Sequence, residues 1–381
     1  MRGCAAATAG SPSPGPVVDA CRVRIGIVTK WFNRGQAYVA RQMRSAFTEL
    51  GHQSYVLARP SRDRGPQPAF IDRSEDWQQS GVTEASSWTV PAEEYLRWAA
   101  DNRLDVVIFD NCFQFPEIAA LRESGVRTVG RFIWEFFAAE HVDPARAALD
   151  TVYSLTRCEQ RRYAEFNIES PLVRWGIHPE LLEIEADRDP ELVRLYFPGG
   201  LMGPRKPRRE VLEAFLRTTG PELRLLIKAQ VERHPRFLEK ASASDPRVEV
   251  VVGDLSTDEH RRLFAGCDVC LAPSRWEGLG VFLYEAIACG MPIITNDDPP
   301  MNEVVEDRHN GLLVSSQADG QAPSGIIAYR PDVDSLTAAI ERIRDPGLMR
   351  ELREGTAEMR SRLSWDQTVE SLAELIGEPR A

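Results

Sequence analysis

Lysine is nearly absent from this sequence: of 46 basic residues, only Lys30, Lys206, Lys228 and Lys240 carry an ammonium, and the rest are arginine. A compact point charge and a planar fork do different work, so each of the four is worth placing. Long apolar runs are missing as well, and none reaches the length that crosses a bilayer, which excludes a membrane-spanning helix. Cys4, Cys21, Cys112, Cys158, Cys267, Cys270 and Cys289 have no framework spacing. Reduced thiols in a cytoplasmic setting are therefore expected, not a disulfide scaffold. Cys267 and Cys270 form one C-x-x-C with no second pair to complete a zinc site, so they are assigned to packing. No G-x-G-x-x-G follows the first strand of either half of the chain, which argues against a dinucleotide oxidoreductase. Positive charge is also short: 57 acidic residues leave a formal net charge of −11. That excludes a broad surface for nucleic acid and leaves at most peripheral membrane contact, with room for a local basic site.

What is present is an apolar content of 43% in 381 residues, enough for a globular protein of two domains. The opening "MRGCAAATAGSPSPGPVVDA" lacks the apolar stretch of a signal, and residues 1–21 are expected to be a disordered tail. Short apolar runs then alternate with amphipathic stretches: "VRIGIV", "SYVLA", "DVVIF", "RTVGRFI", "TVYSL" and "PLVRW", separated by helical segments. That alternation predicts a doubly wound parallel sheet over 22–178. After an acidic linker at 179–191 it starts again with "RLYFPGG", "LRLLIKA", "VEVVVG", "VCLAPS", "MPIIT" and "GLLV", giving a second α/β domain over 192–362. Two such domains would face each other across a cleft at the carboxyl ends of their strands.

The stretch "SRWEGLGVFLYEAIACGMPIIT" places Glu277 and Glu285 eight residues apart around a glycine turn. The turn feeds a helix beginning near Val281, so the amides of Gly278, Leu279, Gly280 and Val281 present a positive end suited to a phosphate or to sugar hydroxyls. Glu277 then sits before the helix and Glu285 about one turn inside it. "PGGLMGPRKPRREVLEAF" carries the densest basic cluster of the chain, Arg205, Lys206, Arg208 and Arg209, which is the chemistry a diphosphate requires. Arg208 and Arg209 fit a solvated helix face better. Lys228 ends the strand "LRLLIK" and is a second phosphate candidate.

The E-G-x-G turn, the second glutamate, "EAIACGMPIIT" and the later "NGLLV" resemble the signature of glycosyltransferase family 4, retaining enzymes of the GT-B fold. The resemblance implies that Glu277 holds the donor sugar, that Glu285 binds the ribose, and that Lys206 grips the diphosphate. Where the family has an arginine before that lysine, this chain has Gly200 or Leu201, so Arg205 is expected to take the role. Gly35 corresponds to a glycine near the donor phosphates. A mid-domain histidine is missing, and "RTVGRFIWEFF" resembles a subgroup with Trp-Glu there, which puts Trp134 and Glu135 in the cleft with His141 close behind. Glu277, Lys206, Arg205 and Glu135 are thus the expected catalytic set. Gly35, Lys228, Gly278, Leu279, Gly280, Val281 and Glu285 are the expected donor contacts, and Trp31, Trp134 and His141 the acceptor contacts. The closing segment 363–381 is expected to cross back onto the first domain.

The implied reaction moves a sugar from a nucleoside diphosphate sugar to an acceptor hydroxyl on a glycan, a lipid-linked glycan or a natural product, with no cofactor and no metal. Asp297, Asp298 and Glu303 stand beside two prolines and point apart, a poor arrangement for a hard cation. A nucleotide-sugar epimerase and a catalytically silent sugar-binding relative are the rival readings.

Overall fold

The computed structural model describes residues 22–62, 69–185 and 187–377. The tail expected over 1–21 lies outside the described residues, with Cys4 and Cys21. The first half runs Arg24–Lys30 (β1), Gly35–Glu49 (α1), Gln53–Arg59 (β2), Val82–Glu84 (β3), Ala92–Asn102 (α2), Val106–Asp110 (β4), Phe115–Glu123 (α3), Arg127–Arg131 (β5), Val142–Ala148 (α4), Thr151–Val152 (β6) and Arg157–Glu165 (α5). All five residues of β4 and the central five of β1 are buried, as strands covered on both faces require. The strands pair in parallel in the order β3-β2-β1-β4-β5-β6.

The second half runs Val193–Gly200 (β7), Arg208–Leu216 (α6), Leu223–Ala229 (β8), Arg236–Ser244 (α7), Val248–Val252 (β9), Thr257–Ala265 (α8), Val269–Leu271 (β10), Val281–Ala288 (α9), Ile293–Asn296 (β11) and Gly311–Val314 (β12). Its sheet, also parallel, has the order β12-β11-β10-β7-β8-β9. The two sheets share one logic. Strand order reverses between β1 and β4 in the first and between β7 and β10 in the second, and crevices for ligands open at such reversals. The loops after β1, β7 and β10 carry Gly35, Arg205, Lys206 and Glu277, so the topology alone brings these residues to the same edge of the fold.

Two segments depart from the sequence reading. "PLVRW" was expected to be a strand, yet it makes only one isolated bridge, between Ser154 and Leu172. Pro171 O and Val173 N bond to the Ser154 backbone, and the far end of the segment is met by side chains of the last helix, Trp365–Ile376 (α12): Gly176 N donates to Thr368 Oγ1 at 2.7 Å, and Thr368 Oγ1 donates to Arg174 O at 2.9 Å. Gly176 has no room for a side chain, because a Cβ there would lie 2.2 Å from the Ser364 carbonyl oxygen. The second departure is an antiparallel hairpin, Ser316–Gln321 (β13) and Ile327–Pro331 (β14), which no apolar run announced. After it come Val333–Arg342 (α10), Pro346–Arg362 (α11) and α12. Helix α12 packs against α1, where Trp365 Nε1 donates to Glu49 at 3.0 Å, and Arg127 of β5 reaches the Leu375 carbonyl at 2.9 Å. Among the described residues, no helix is long and apolar enough to cross a membrane.

Candidate functional site

Glu277 is the centre of the site. It follows β10 and is 3% exposed, a burial that leaves an isolated carboxylate only by pairing or protonation. Pairing wins here. Lys206 Nζ lies 2.5 Å from Oε1 and 3.0 Å from Ser274 Oγ, Ser274 Oγ donates to the same Oε1 at 2.9 Å, and Arg205 stands 3.3 Å from Oε2. Burial pushes the Glu277 carboxyl up, but Arg205 and Lys206 outweigh it and hold the group below its ordinary value. Burial also draws Lys206 down, against the pull of Glu277. The ammonium lies over the Phe282 ring at 4.4 Å as well, so Lys206 sits in a buried pocket, not on the charged surface its sequence neighbours suggested.

Gly280 turns the chain into α9 with φ 71° and ψ 53°, a left-handed conformation that glycine adopts without strain. Among the described residues no acceptor is found for the amides of Gly278, Leu279 and Gly280, all three buried. Such amides at a helix start suit an anion. The first helix of the other domain meets them: a Cβ on Gly35 would come 3.7 Å from Val281, and one on Gly278 3.0 Å from Ile133. Both glycines therefore lie where the domains face each other.

Glu285 projects from α9 into a small cavity walled by Tyr38 and Gln42 of α1, Glu180 of the linker and His260 and Arg261 of α8. Burial raises its carboxyl to about 7, Arg261 opposing and Glu180 adding to the rise. Burial, Lys228 and Arg261 together lower His260 to about 4, so this imidazole is neutral at pH 7. Tyr38, His260 and Arg261 were not singled out from the sequence. The signal available was the capping box of Ser256 and Glu259, which fixes the start of α8 and so the face on which His260 falls.

In the first domain, Glu135 is 4% exposed, with Oε1 3.4 Å from Arg205 and Oε2 without a partner among the described residues. Burial raises it to about 7, resisted by Arg205 and aided by Glu277. The structure thus brings Glu135, Arg205, Lys206 and Glu277 together. Trp134 behaves differently from an open sugar platform. It is buried against Trp276, Ile326 and Ala328 of the other domain, and its indole donates to the Glu277 carbonyl oxygen at 2.5 Å. Trp31 is a correction of the same kind: 1% exposed and donating to the Trp77 carbonyl at 2.8 Å, it belongs to the core and cannot face an acceptor. His141 keeps partial exposure and packs at 4.7 Å from the Phe113 ring, with its Nδ1 accepting from Ala138 N. Lys228 donates to the Gly253 carbonyl, beside the interdomain pair of Arg34 and Asp254 at 3.2 Å. Arg208 is half-buried and bonded to the Met202 carbonyl, so only Arg209 keeps the solvated position expected of both. Asp297, Asp298 and Glu303 are turned to separate partners, Asn302, Ser316 and the Arg157 amide. Cys267 and Cys270 are both buried. A cavity of about 820 Å³ lies elsewhere, around Thr151, Asn167 and Pro171, and touches none of the site residues.

The raised carboxyls have a consequence for stability. A carboxyl held at about 7 in the folded protein titrates near ~4.3 when unfolded, so the folded state binds the extra proton between those values and loses stability as pH rises through the window. The urea midpoint of the ligand-free protein is expected to fall from pH 5 to pH 7.5, and less steeply in Glu135→Gln/Glu285→Gln. Parallel profiles for the two proteins would show that neither carboxyl titrates there.

Residues 200–354 match the family described as glycosyl transferases group 1. A D-inositol 3-phosphate glycosyltransferase of Streptomyces bingchenggensis is 31% identical over 121 residues, which cover 32% of this chain and 24% of that protein. An alpha-maltose-1-phosphate synthase of Mycolicibacterium smegmatis is 31% identical over 136 residues, 34% of this chain and 35% of that protein. The chain therefore spans only about a quarter to a third of the length of these curated relatives. Likeness in structure extends much further. Sucrose-phosphate synthase from Thermosynechococcus elongatus superposes with a TM-score of 0.72 at 16% identity, covering 93% of this chain and 98% of that one. Anabaena HepE in complex with UDP-glucose gives 0.68 at 14% identity, covering 93% and 99%. At these identities the likeness establishes the fold.

Proposed function

We propose that this chain, whose residues 200–354 match the glycosyl transferases group 1 family and whose fold is GT-B, carries out a retaining transfer of a sugar from a nucleoside diphosphate sugar to an acceptor hydroxyl. The observation that carries this reading is the meeting of Lys206, Arg205 and Glu277 with the free amides of Gly278 to Gly280 at the reversal point of the second sheet. As the glycosidic bond breaks, negative charge grows on the leaving diphosphate. Two cations and a set of amides already fixed in place stabilise that charge without reorganising. Glu277, with both oxygens held by cations, is poorly disposed to attack carbon, and it serves as an acceptor for donor-sugar hydroxyls. A front-face route follows, with the acceptor entering from the side of Glu135. Glu285 takes the ribose in the cavity between α1, α8 and α9. The UDP-glucose complex of the Anabaena neighbour supports a nucleotide sugar as donor.

A thermal-shift screen of UDP, GDP, ADP and their sugars tests the reading, because a ligand that binds only the native state raises Tm with concentration. One nucleoside diphosphate family should stand out, and a flat screen would sink the proposal. Glu285→Gln should weaken that nucleotide by ten- to a hundredfold, from the loss of charge-assisted hydrogen bonds of roughly 1.5–3 kcal/mol. An unchanged calorimetric Kd would remove Glu285 from the ribose site. Transfer should also persist in excess chelator, since Arg205, Lys206 and the amides do the neutralising; abolition with rescue by magnesium or manganese would return attention to Asp297 and Asp298.

A further inference from the structure

One basic group in the first domain is left over from the donor site. At the carboxyl ends of β1 and β2, three cations surround one indole: the Lys30 ammonium lies 5.4 Å from the Trp88 ring centre, the Arg59 guanidinium 4.1 Å and that of Arg62 4.9 Å. Arg59 is buried and fixed, its Nε and Nη2 donating to the Trp88 carbonyl at 3.0 and 2.7 Å. Lys30 is half-buried and, among the described residues, has no hydrogen-bond acceptor or ion-pair partner. Asp110 is the carboxylate that faces it, and Asp110 is already engaged by Arg131 at 3.3 Å and Gln36 at 3.2 Å. Carboxylates on the adjoining segments are taken too, Glu84 by both arms of Arg73 and Glu94 by Ser86. In a chain of net charge −11, this concentration of cations has no ion-pair partner among the described residues. Burial lowers Lys30 to about 8, Asp110 resisting, with Arg59, Arg62 and Arg34 adding to the fall; a bound anion would relieve that repulsion.

We propose that Lys30, Arg59, Arg62 and Trp88 form a subsite for a phosphate monoester carried by the acceptor. The site follows β1, as the loop to α1 and Gly35 does, so it lies on the first domain's side of the cleft. An ammonium beside guanidinium groups suits a doubly charged tetrahedral anion better than a neutral sugar. The recessed positions of Lys30 and Arg59 favour a soluble phosphorylated acceptor over a flat lipid surface. This proposal rests on the glycosyltransferase reading for the word acceptor, but the anion site stands on its own geometry.

The test is a titration of inorganic phosphate at low ionic strength, read by thermal shift, with whichever of UDP, GDP and ADP gives the largest shift saturating so that the donor diphosphate position is filled. Wild type should show a saturable rise in Tm. Lys30→Met should weaken apparent phosphate affinity at least tenfold, and Arg62→Ala, an exposed position that leaves packing intact, should weaken it measurably. The shift given by that nucleoside diphosphate alone should be unchanged in both variants. No saturable response in wild type, or equal affinity in wild type and both variants, overturns the subsite. Absence of a shift with UDP, GDP and ADP alike would count against the donor reading instead, and the comparison of wild type with the variants would still decide this site.

Discussion

Glu277→Gln is expected to lower turnover on the order of a hundredfold while leaving nucleoside diphosphate affinity unchanged or tighter. The amide keeps the shape of the carboxylate and removes its charge. Arg205 and Lys206 then lose their internal counter-ion, so a bound diphosphate meets more positive charge than before. What is lost is the group that sets the positions of both cations and accepts from the donor sugar. The split between binding and turnover is the diagnostic, because a group that merely neutralised the pocket would alter affinity alone. Steady-state rates within threefold of wild type would remove Glu277 from the reaction.

Lys206→Met should be equally damaging to turnover, and it should also destabilise the fold. Removing one partner of a buried pair leaves an uncompensated charge, at a cost of about 3–5 kcal/mol. Arg205 remains 3.3 Å from Glu277 and places the effect toward the lower end. Arg209→Ala, at an exposed position of the same basic run, should change neither quantity appreciably. The double variant Lys206→Met/Glu277→Gln separates the two roles, since it should recover much of the lost stability and none of the lost turnover. Urea denaturation and rate measurement on the four proteins supply the check. If Lys206→Met and Arg209→Ala behaved alike, the basic run would be no more than a charged surface.

The sequence was most legible where local pattern and topology agree. Apolar runs located eleven of the twelve strands of the two sheets, all but the short β3, because a strand buried on both faces must be apolar throughout. The E-G-L-G turn was equally readable, since a left-handed glycine before an apolar helix has few alternatives. "PLVRW" misled for a physical reason: an extended apolar segment can have its hydrogen bonds met by side chains of a distant helix, and no local pattern records that. Trp31 and Trp134 show the same limit for site residues. Their place near strand ends was visible, but whether an indole faces solvent or packs away depends on distant parts of the chain, 46 residues on for Trp31 and Trp77 and 143 for Trp134 and Glu277. The cavity residues Tyr38, His260 and Arg261 come from different domains and meet only after both have folded and docked. Lys206 was found as a cation, yet its burial was not, because two of the three arginines around it, Arg208 and Arg209, read as a solvated helix face.

Helix α12 bears on how the chain can be divided. It follows every other described element in the chain, and it completes the surface of the first domain, holding the backbone of 174–176 and the outer face of α1. A cut in the linker near residue 186 therefore does not yield two self-sufficient pieces. The amino-terminal piece would lack the helix that satisfies its buried amides, whereas the carboxyl-terminal piece would carry an apolar helix with nothing to cover it. A recombinant first domain would need residues 364–377 grafted back, and a nascent chain on the ribosome would hold that domain unfinished until α12 had emerged.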